Sequence, residues 1–176
     1  MLLEAAAGAD PFGQVLGWRN PDRLLLDDEA ATCAMFARRL QDDTRNATWL
    51  ARAVVERDTT TMVGHLGCHF APDEHGVVEF GYLVAPSRRT GLTTEAVLGL
   101  AGACAASGAA TTVRATVVAT NDPSLGLLHH LGFVVVGNRT DADGQLEHLL
   151  ECPVDAIGRF PARPEPEPSP SFTESP

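Results

Sequence analysis

The sequence contains no lysine: its 13 cationic residues are all arginine, against 23 aspartate and glutamate residues. A chain without lysine can form neither a Schiff base through a lysine amine nor a P-loop, which requires Gly-Lys-Ser/Thr to hold phosphate. The net charge of −10 makes nucleic acids and anionic membranes poor candidates for partners, because both are bound by clustered cations. An anionic ligand must therefore be held locally.

Cysteine and long apolar runs are also scarce. The four cysteines are dispersed without a C-x-x-C pair, which predicts reduced thiols in a cytoplasm. The N-terminus lacks a basic region ahead of an apolar stretch, so we predict no signal peptide. The most apolar window, residues 96–110, is too short to cross a hydrocarbon core of ~30 Å. The lack of lysine is typical of a GC-rich bacterial genome.

Proline and glycine mark the two ends of the chain. Residues 158–176 are rich in Pro, Glu and Ser, and prolines at alternate positions predict a disordered, extended tail. Residues 1–22 are poorly patterned, since glycine and proline interrupt every period there. The length of 176 residues suits one packed domain, which we place at residues 23–157.

Within this domain the apolar period switches repeatedly between helix and strand. The predicted elements are a helix capped by Asp27 and Asp28, strands over 49–56, 62–70 and 77–85, a helix ending at Gly108, a strand over 113–119, a helix capped by Asp122 and ending at Gly132, and strands over 133–137 and 146–152. The strand over 113–119 is parallel to that over 77–85 if the helix crosses over. This order predicts an α/β domain with a mixed sheet.

The crossover after residue 85 has the character of an anion site. A turn containing Arg88, Arg89 and Gly91 opens a helix, whose first backbone N–H groups and dipole favour a diphosphate. The motif G-x-G-x-x-G is absent. On this segment alone, an ordinary helix start with two solvated arginines is an equal alternative.

A set of short motifs follows in a defined order and spacing, over roughly residues 49–152. They are Glu79-Phe80-Gly81-Tyr82, Val84-Ala85-Pro86, Arg88-x-x-Gly91-x-Thr93-Thr94-Glu95-Ala96, Asn121-x-x-Ser124 and Leu131-Gly132-Phe133. In these motifs the chain resembles the GNAT acyl-CoA N-acetyltransferases, particularly the branch that acetylates ribosomal-protein N-termini. The resemblance implies the GNAT fold: a mixed, mostly antiparallel sheet of about six strands, with a central parallel pair splayed at the cofactor cleft and helices on both faces.

The resemblance also implies how acetyl-CoA, the co-substrate, is bound. Its pantetheine amides would bond the backbone of Leu83 and Val84, as an added strand would. Asn121 would hold the pantetheine arm, with Ser124 beside it. The diphosphate would meet the backbone amides of Arg88, Arg89, Thr90, Gly91, Leu92, Thr93 and Thr94.

Acetyl transfer needs a neutral amine, and an amine of pKa ~10 is only about 0.1% neutral at pH 7. We therefore expect a base, with Glu79 as first choice and His65 as second. Many GNAT enzymes carry a tyrosine acid four residues after Ser124, where this chain has Leu128. In the branch that this chain resembles, the serine is the proposed acid, so Ser124 takes that role. Tyr82, the sole tyrosine, is expected to pack or to line the cleft.

The run His65-x-x-Cys68-His69 has a metal-like composition. On a strand, however, the two histidines would lie about 13 Å apart and Cys68 would point to the opposite face, so we predict no metal.

The predicted function is an acetyl-CoA-dependent N-acetyltransferase that acts on a primary amine of a small molecule or a peptide N-terminus. The alternative is an inactive GNAT-like module that binds acyl-CoA or a partner. Arg89 and Thr93 favour this alternative, because they replace the small residues usual in the family. Whether the protein forms a homodimer is left open by the sequence.

Overall fold

The computed structural model describes residues 11–85 and 91–158. Two 3-10 turns, Asp27–Glu29 and Thr44–Thr48, flank the second helix. The helices are α1 (Pro11–Leu16), α2 (Ala30–Asp42), α3 (Leu92–Ser107) and α4 (Asp122–His130); the strands are β1 (Arg52–Glu56), β2 (Thr61–Cys68), β3 (Val77–Val84), β4 (Thr112–Val118), β5 (Val134–Thr140) and β6 (Leu146–Pro153). In this part of the chain, no helix has the length and apolar character needed to span a membrane.

The six strands form one mixed sheet in the order β1-β2-β3-β4-β6-β5. Short turns join β1, β2 and β3, so these neighbours are antiparallel. Helix α3 crosses over between β3 and β4 and makes this pair parallel, as such a connection requires. The predicted α/β fold with a central parallel pair is confirmed.

The parallel pair separates along its length. Strands β3 and β4 are paired from Val77 opposite Thr112 to Phe80 opposite Ala115. Beyond this point β3 continues to Val84, still paired with β2, and β4 continues to Val118, still paired with β6. A gap therefore opens in the middle of the sheet, at the carboxyl end of the parallel pair. This is the pair that the resemblance predicts to be splayed.

The larger apolar core holds α3 and α4 against the sheet. The apolar stripe predicted for α3 consists of Val97, Leu100, Ala101 and Cys104. Leu100 is partly buried against this core, and the other three are buried. On β4, burial alternates as a period of two requires, with one face turned into this core. The core fixes the position of both helix N-termini that flank the gap.

A smaller core involves α1, α2 and the loop between them. The spacing of Cys33, Phe36, Ala37 and Leu40 predicts one apolar stripe on α2. The first three are buried and Leu40 is partly buried. Phe12 of α1 and Leu24 of the loop pack in the same cluster as Cys33. The sequence patterns had assigned no element to the α1 segment. Strand β2 is buried over its whole length, because it is covered by side chains on both faces.

Several predicted boundaries were wrong, including the end of β5, which lies at Thr140 rather than at residue 137. Asp27 does not cap α2, because its carboxylate accepts a hydrogen bond from Arg23 within a separate 3-10 turn, and α2 begins only at Ala30. Asn121, rather than Asp122, caps α4, since its Oδ1 accepts a bond from the backbone N–H of Ser124 at 3.3 Å. Strand β1 begins at Arg52 rather than residue 49, because the preceding residues close a 3-10 turn.

Candidate functional site

A cleft of about 320 Å³ lies at the splayed end of the parallel pair. Three segments line it, one each from β3, the start of α3 and the start of α4. Its lining residues are Tyr82, Leu83, Val84, Gly91, Thr93, Thr94, Asn121, Pro123, Ser124 and Leu127. The structure thus brings most of the residues predicted to bind the co-substrate to one cleft. Leu92 lies at the first position of α3, and Arg88, Arg89 and Thr90 lie outside the described residues.

The N-terminus of α3 is suited to an anion. Gly91 precedes the helix with φ of 80°, a left-handed conformation that favours glycine. No side chain in the described part of the chain caps this end by a hydrogen bond. The first N–H groups of a 16-residue helix and the positive end of its dipole therefore face the cleft.

Two hydroxyl groups meet on the side of the gap where the cleft lies. The Tyr82 hydroxyl lies 2.9 Å from Oγ of Ser124, within hydrogen-bond distance, and both residues line the cleft. Burial raises the pKa of Tyr82, and this effect exceeds the opposing effect of the bond to Ser124. At neutral pH the phenol is therefore protonated, so the pair has protons to donate. Tyr82 both packs against the larger core and lines the cleft, the two positions that the sequence predicts for it.

Glu79 lies on the opposite face of β3 from Tyr82, because side chains alternate along a strand. Its Oε1 accepts a hydrogen bond from Oγ1 of Thr116 at 2.9 Å. Thr116 is the first residue of β4 beyond the last pair with β3, so this bond closes the base of the gap. Glu79 is not among the residues that line the cleft. Glu79 and Ser124 therefore flank the gap from its two faces.

His69 lies beside Glu79 on that second face. Its backbone N–H donates to the carbonyl oxygen of Glu79 at 2.7 Å, and its Nδ1 lies 3.8 Å from Oε1 of the same residue. The ring also lies over Gly81, where an added Cβ would come within 3.1 Å of Nε2. Sequence reasoning considered His69 only as a metal ligand, and it missed both His69 and Thr116 as neighbours of Glu79.

The electrostatics around His69 favour a neutral imidazole. Burial lowers the pKa of His69, and the nearby cations of Arg39 and Arg139 lower it further, against the opposing effect of Glu79. Arg39 is fixed there, because its Nη1 donates to the carbonyl oxygen of His69 at 2.8 Å and its guanidinium lies 3.9 Å from the centre of the Phe70 ring.

His65, the second candidate base, is already engaged. Its Nε2 lies 2.8 Å from Oε2 of Glu29, and its side chain is only 9% exposed. Burial tends to raise the pKa of Glu29, but the bonds from His65 and from the backbone N–H of Leu25 lower it overall. Cys68 is buried in the larger core. Within residues 11–85 and 91–158, no three His, Cys, Asp or Glu side chains are grouped as metal ligands.

A family model and many solved structures match this chain. The family model described as an acetyltransferase (GNAT) domain matches residues 11–134. No curated protein sequence matches the chain.

Many solved structures share its fold. The spermidine/spermine N-acetyltransferase of Vibrio cholerae, crystallised with manganese ions, is 13% identical with a TM-score of 0.57, over 66% of this chain and 71% of that one. A putative acetyltransferase of Acinetobacter baylyi is 18% identical with a TM-score of 0.57, over 75% and 76%. A GNAT-family acetyltransferase of Streptococcus pneumoniae is 14% identical with a TM-score of 0.56, over 74% and 78%. At these identities the likeness concerns the fold.

Proposed function

Because this chain belongs to the GNAT acetyltransferase family, we propose that it transfers the acetyl group of acetyl-CoA to a primary amine by direct attack on the thioester. The observation that carries the proposal is the divergence of β3 and β4 beyond Phe80 and Ala115, together with the cleft beside it. A gap in a sheet leaves backbone groups without ladder partners, and an extended chain of amides can satisfy them.

The donor occupies the cleft on the side of α3 and α4. The pantetheine arm runs along the backbone of Leu83 and Val84, with Asn121 and Ser124 across from it, which the cleft lining supports. The diphosphate binds the amides from Gly91 onward at the uncapped start of α3, including those of Leu92, Thr93 and Thr94. By the same proposal, Arg88, Arg89 and Thr90 contribute from the preceding turn.

The acceptor approaches from the other face, where Glu79 lies at the base of the gap. Its carboxylate attracts the ammonium group of the acceptor and assists loss of a proton from it. The neutral amine then attacks the thioester carbon, and the CoA thiolate leaves. On the donor side Ser124 supplies a proton to the thiolate, and its contact with the Tyr82 hydroxyl supports this role. Since a thiol has a pKa of ~8.5, protonating the departing thiolate at pH 7 requires little help, so Ser124 contributes only a modest factor to the rate.

The acceptor is a cationic small molecule or the N-terminus of a peptide. The net charge of −10 favours cations in the surrounding field. The fold neighbours include an enzyme named for spermidine and spermine, whereas the motifs from Glu79 to Phe133 favour the branch that acetylates ribosomal-protein N-termini. The proposal also places the protein in a bacterial cytoplasm, in keeping with its dispersed cysteines.

The experiment is a release assay for CoA thiol with purified protein, acetyl-CoA and a panel of amines. The panel contains spermidine, spermine and short peptides with free and with blocked N-termini. We expect CoA release with at least one free amine and none with blocked peptides, and mass spectrometry of the acceptor should find one added acetyl group.

Calorimetry with acetyl-CoA separates the two candidate functions. Binding with turnover supports the acetyltransferase. Binding without CoA release for any amine favours an inactive acyl-CoA-binding module. Absence of binding contradicts both, because each requires the cleft to hold the donor.

A further inference from the structure

We propose that His69 takes the proton from the acceptor amine, and that Glu79 orients its ring and stabilises the imidazolium that forms. This inference rests on the proposed function and adds a residue to its acceptor side.

The first argument is the orientation of the ring. Nδ1 faces Oε1 of Glu79 at 3.8 Å, and Nε2 lies against Gly81 on the other side of the ring. A carboxylate at Nδ1 favours the tautomer with a proton there and leaves the lone pair on Nε2. Within residues 11–85 and 91–158, Nε2 has no hydrogen-bond partner. The distance to Glu79 is longer than a hydrogen bond, as is common for catalytic pairs before substrate binds.

The second argument is that Glu79 is fixed by two further contacts. Its side chain accepts the hydrogen bond from Thr116, and its backbone carbonyl accepts the bond from the N–H of His69. The carboxylate therefore cannot swing away from the ring without losing a bond. Both side chains are partly open, with 33% of His69 and 28% of Glu79 exposed, so an acceptor can reach them.

The third argument is the charge environment of the ring. Arg39 on α2 and Arg139 on β5 disfavour the imidazolium, whereas Glu79 on β3 favours it. A histidine whose pKa lies below its usual ~6.5 is mostly neutral near pH 7, which a base requires. On β4, Thr116 donates to Glu79 and does not titrate. Arg114, which is paired with Glu79 in register, is bonded to Glu151 of β6.

The fourth argument is position. Gly81 is the first residue of β3 beyond its last pair with β4, so the imidazole lies at the mouth of the gap. Tyr82 and Ser124 lie on the other face of the same opening. An acceptor nitrogen at Nε2 would thus approach a thioester held in the gap from the side opposite the hydroxyl groups. Gly81 is needed for this arrangement, because a Cβ there would push against the ring.

The proton balance is simple. The ammonium of the acceptor gives one proton to Nε2, and the freed lone pair forms the bond between nitrogen and the acetyl carbon. The tetrahedral intermediate then breaks its bond between carbon and sulfur. The second amine proton leaves the nitrogen as the amide forms, the thiolate takes one proton, and the imidazolium returns its proton to solvent. One proton is released for each acetyl group transferred.

The test is the pH profile of kcat/KM for the wild type and three variants, with the amine from the panel that gives CoA release. For the wild type we expect an acid limb with an apparent pKa below about 6.5. His69→Gln should lower kcat about 100-fold or more and remove this limb. Glu79→Gln should keep the limb but shift it to lower pH, because the opposing carboxylate is gone. His75→Gln is the matched control, since this histidine is 78% exposed in the turn before β3, and its profile should equal that of the wild type.

The outcomes are distinguishable. A limb that persists in His69→Gln and disappears in Glu79→Gln would make Glu79 itself the base and overturn the inference while leaving the acetyltransferase intact. Absence of CoA release by the wild type overturns the proposed function and this inference with it. If His69→Gln does not fold, the pH profile of Glu79→Gln decides. An unchanged acid limb contradicts the proposal that Glu79 acts on His69, and a shift of the limb to lower pH supports it.

Discussion

Replacement of Thr116 by valine tests whether the hydrogen bond across the base of the gap matters for transfer. Valine keeps the branched shape of threonine and suits a strand, so it removes one donor and little else. The bond lost is that from Oγ1 to Oε1 of Glu79 at 2.9 Å. A hydrogen bond to a charged group contributes about 1.5–3 kcal/mol. Since 28% of the Glu79 side chain is exposed, we take the lower limit, ~1.5 kcal/mol, because water screens the pair.

A loss of ~1.5 kcal/mol in transition-state stabilisation corresponds to about a tenfold lower kcat/KM. The assay is CoA release at saturating acetyl-CoA, and thermal denaturation reports stability beside it. Thr116→Ser retains the hydroxyl group and should keep most of the activity. Thr112→Val changes the same residue type on the same face of β4, but at its paired end, and should leave the rate unchanged.

The reasoning is refuted if Thr116→Val transfers acetyl at the wild-type rate. It is also refuted if Thr116→Ser loses as much activity as Thr116→Val, since the effect would then follow side-chain shape rather than the hydrogen bond. A decrease in Tm with unchanged kcat/KM would assign the bond to stability alone.

Three further predictions concern the cleft, the sheet and pH. Tyr82→Phe removes the hydroxyl that meets Ser124 and should lower kcat about fivefold, for a neutral hydrogen bond of ~1 kcal/mol; steady-state kinetics at full donor saturation would contradict this if kcat were unchanged. Gly64→Ala should lower the free energy of unfolding, because its Cβ would lie 2.5 Å from a carbonyl oxygen of β3. Gly99→Ala in α3 meets no atom within 4 Å, and it should raise the free energy of unfolding measured in urea by about 0.5–1 kcal/mol. The pKa of His69 is lowered in the folded state, so the unfolded chain binds this proton more readily. The free energy of unfolding should therefore decrease as pH falls below about 6.5. His69→Gln should flatten this decrease, and an equally steep decrease in the variant would contradict the prediction.

The overall order of elements could be predicted from the sequence because it follows from local patterns. The stripe of Val97, Ala101 and Cys104 and the glycine stop at Gly108 are consequences of helical period and of a left-handed terminus. The parallel pairing of β3 with β4 followed from the crossover rule. The boundaries were less predictable, since Asp27 and Asn121 each had competing side chains and turns within a few residues.

The sequence by itself determined which segments line the cleft. The turn into α3 and the segment from Asn121 to Ser124 are continuous motifs, so their chemistry is readable from neighbours in the chain. Only the tertiary structure showed which residues surround Glu79. His69, Glu79 and Thr116 come from three different strands, and only the sheet register and the separation of β3 from β4 bring them to one opening. Contacts between strands depend on register, and a register cannot be derived from the local pattern of any one strand.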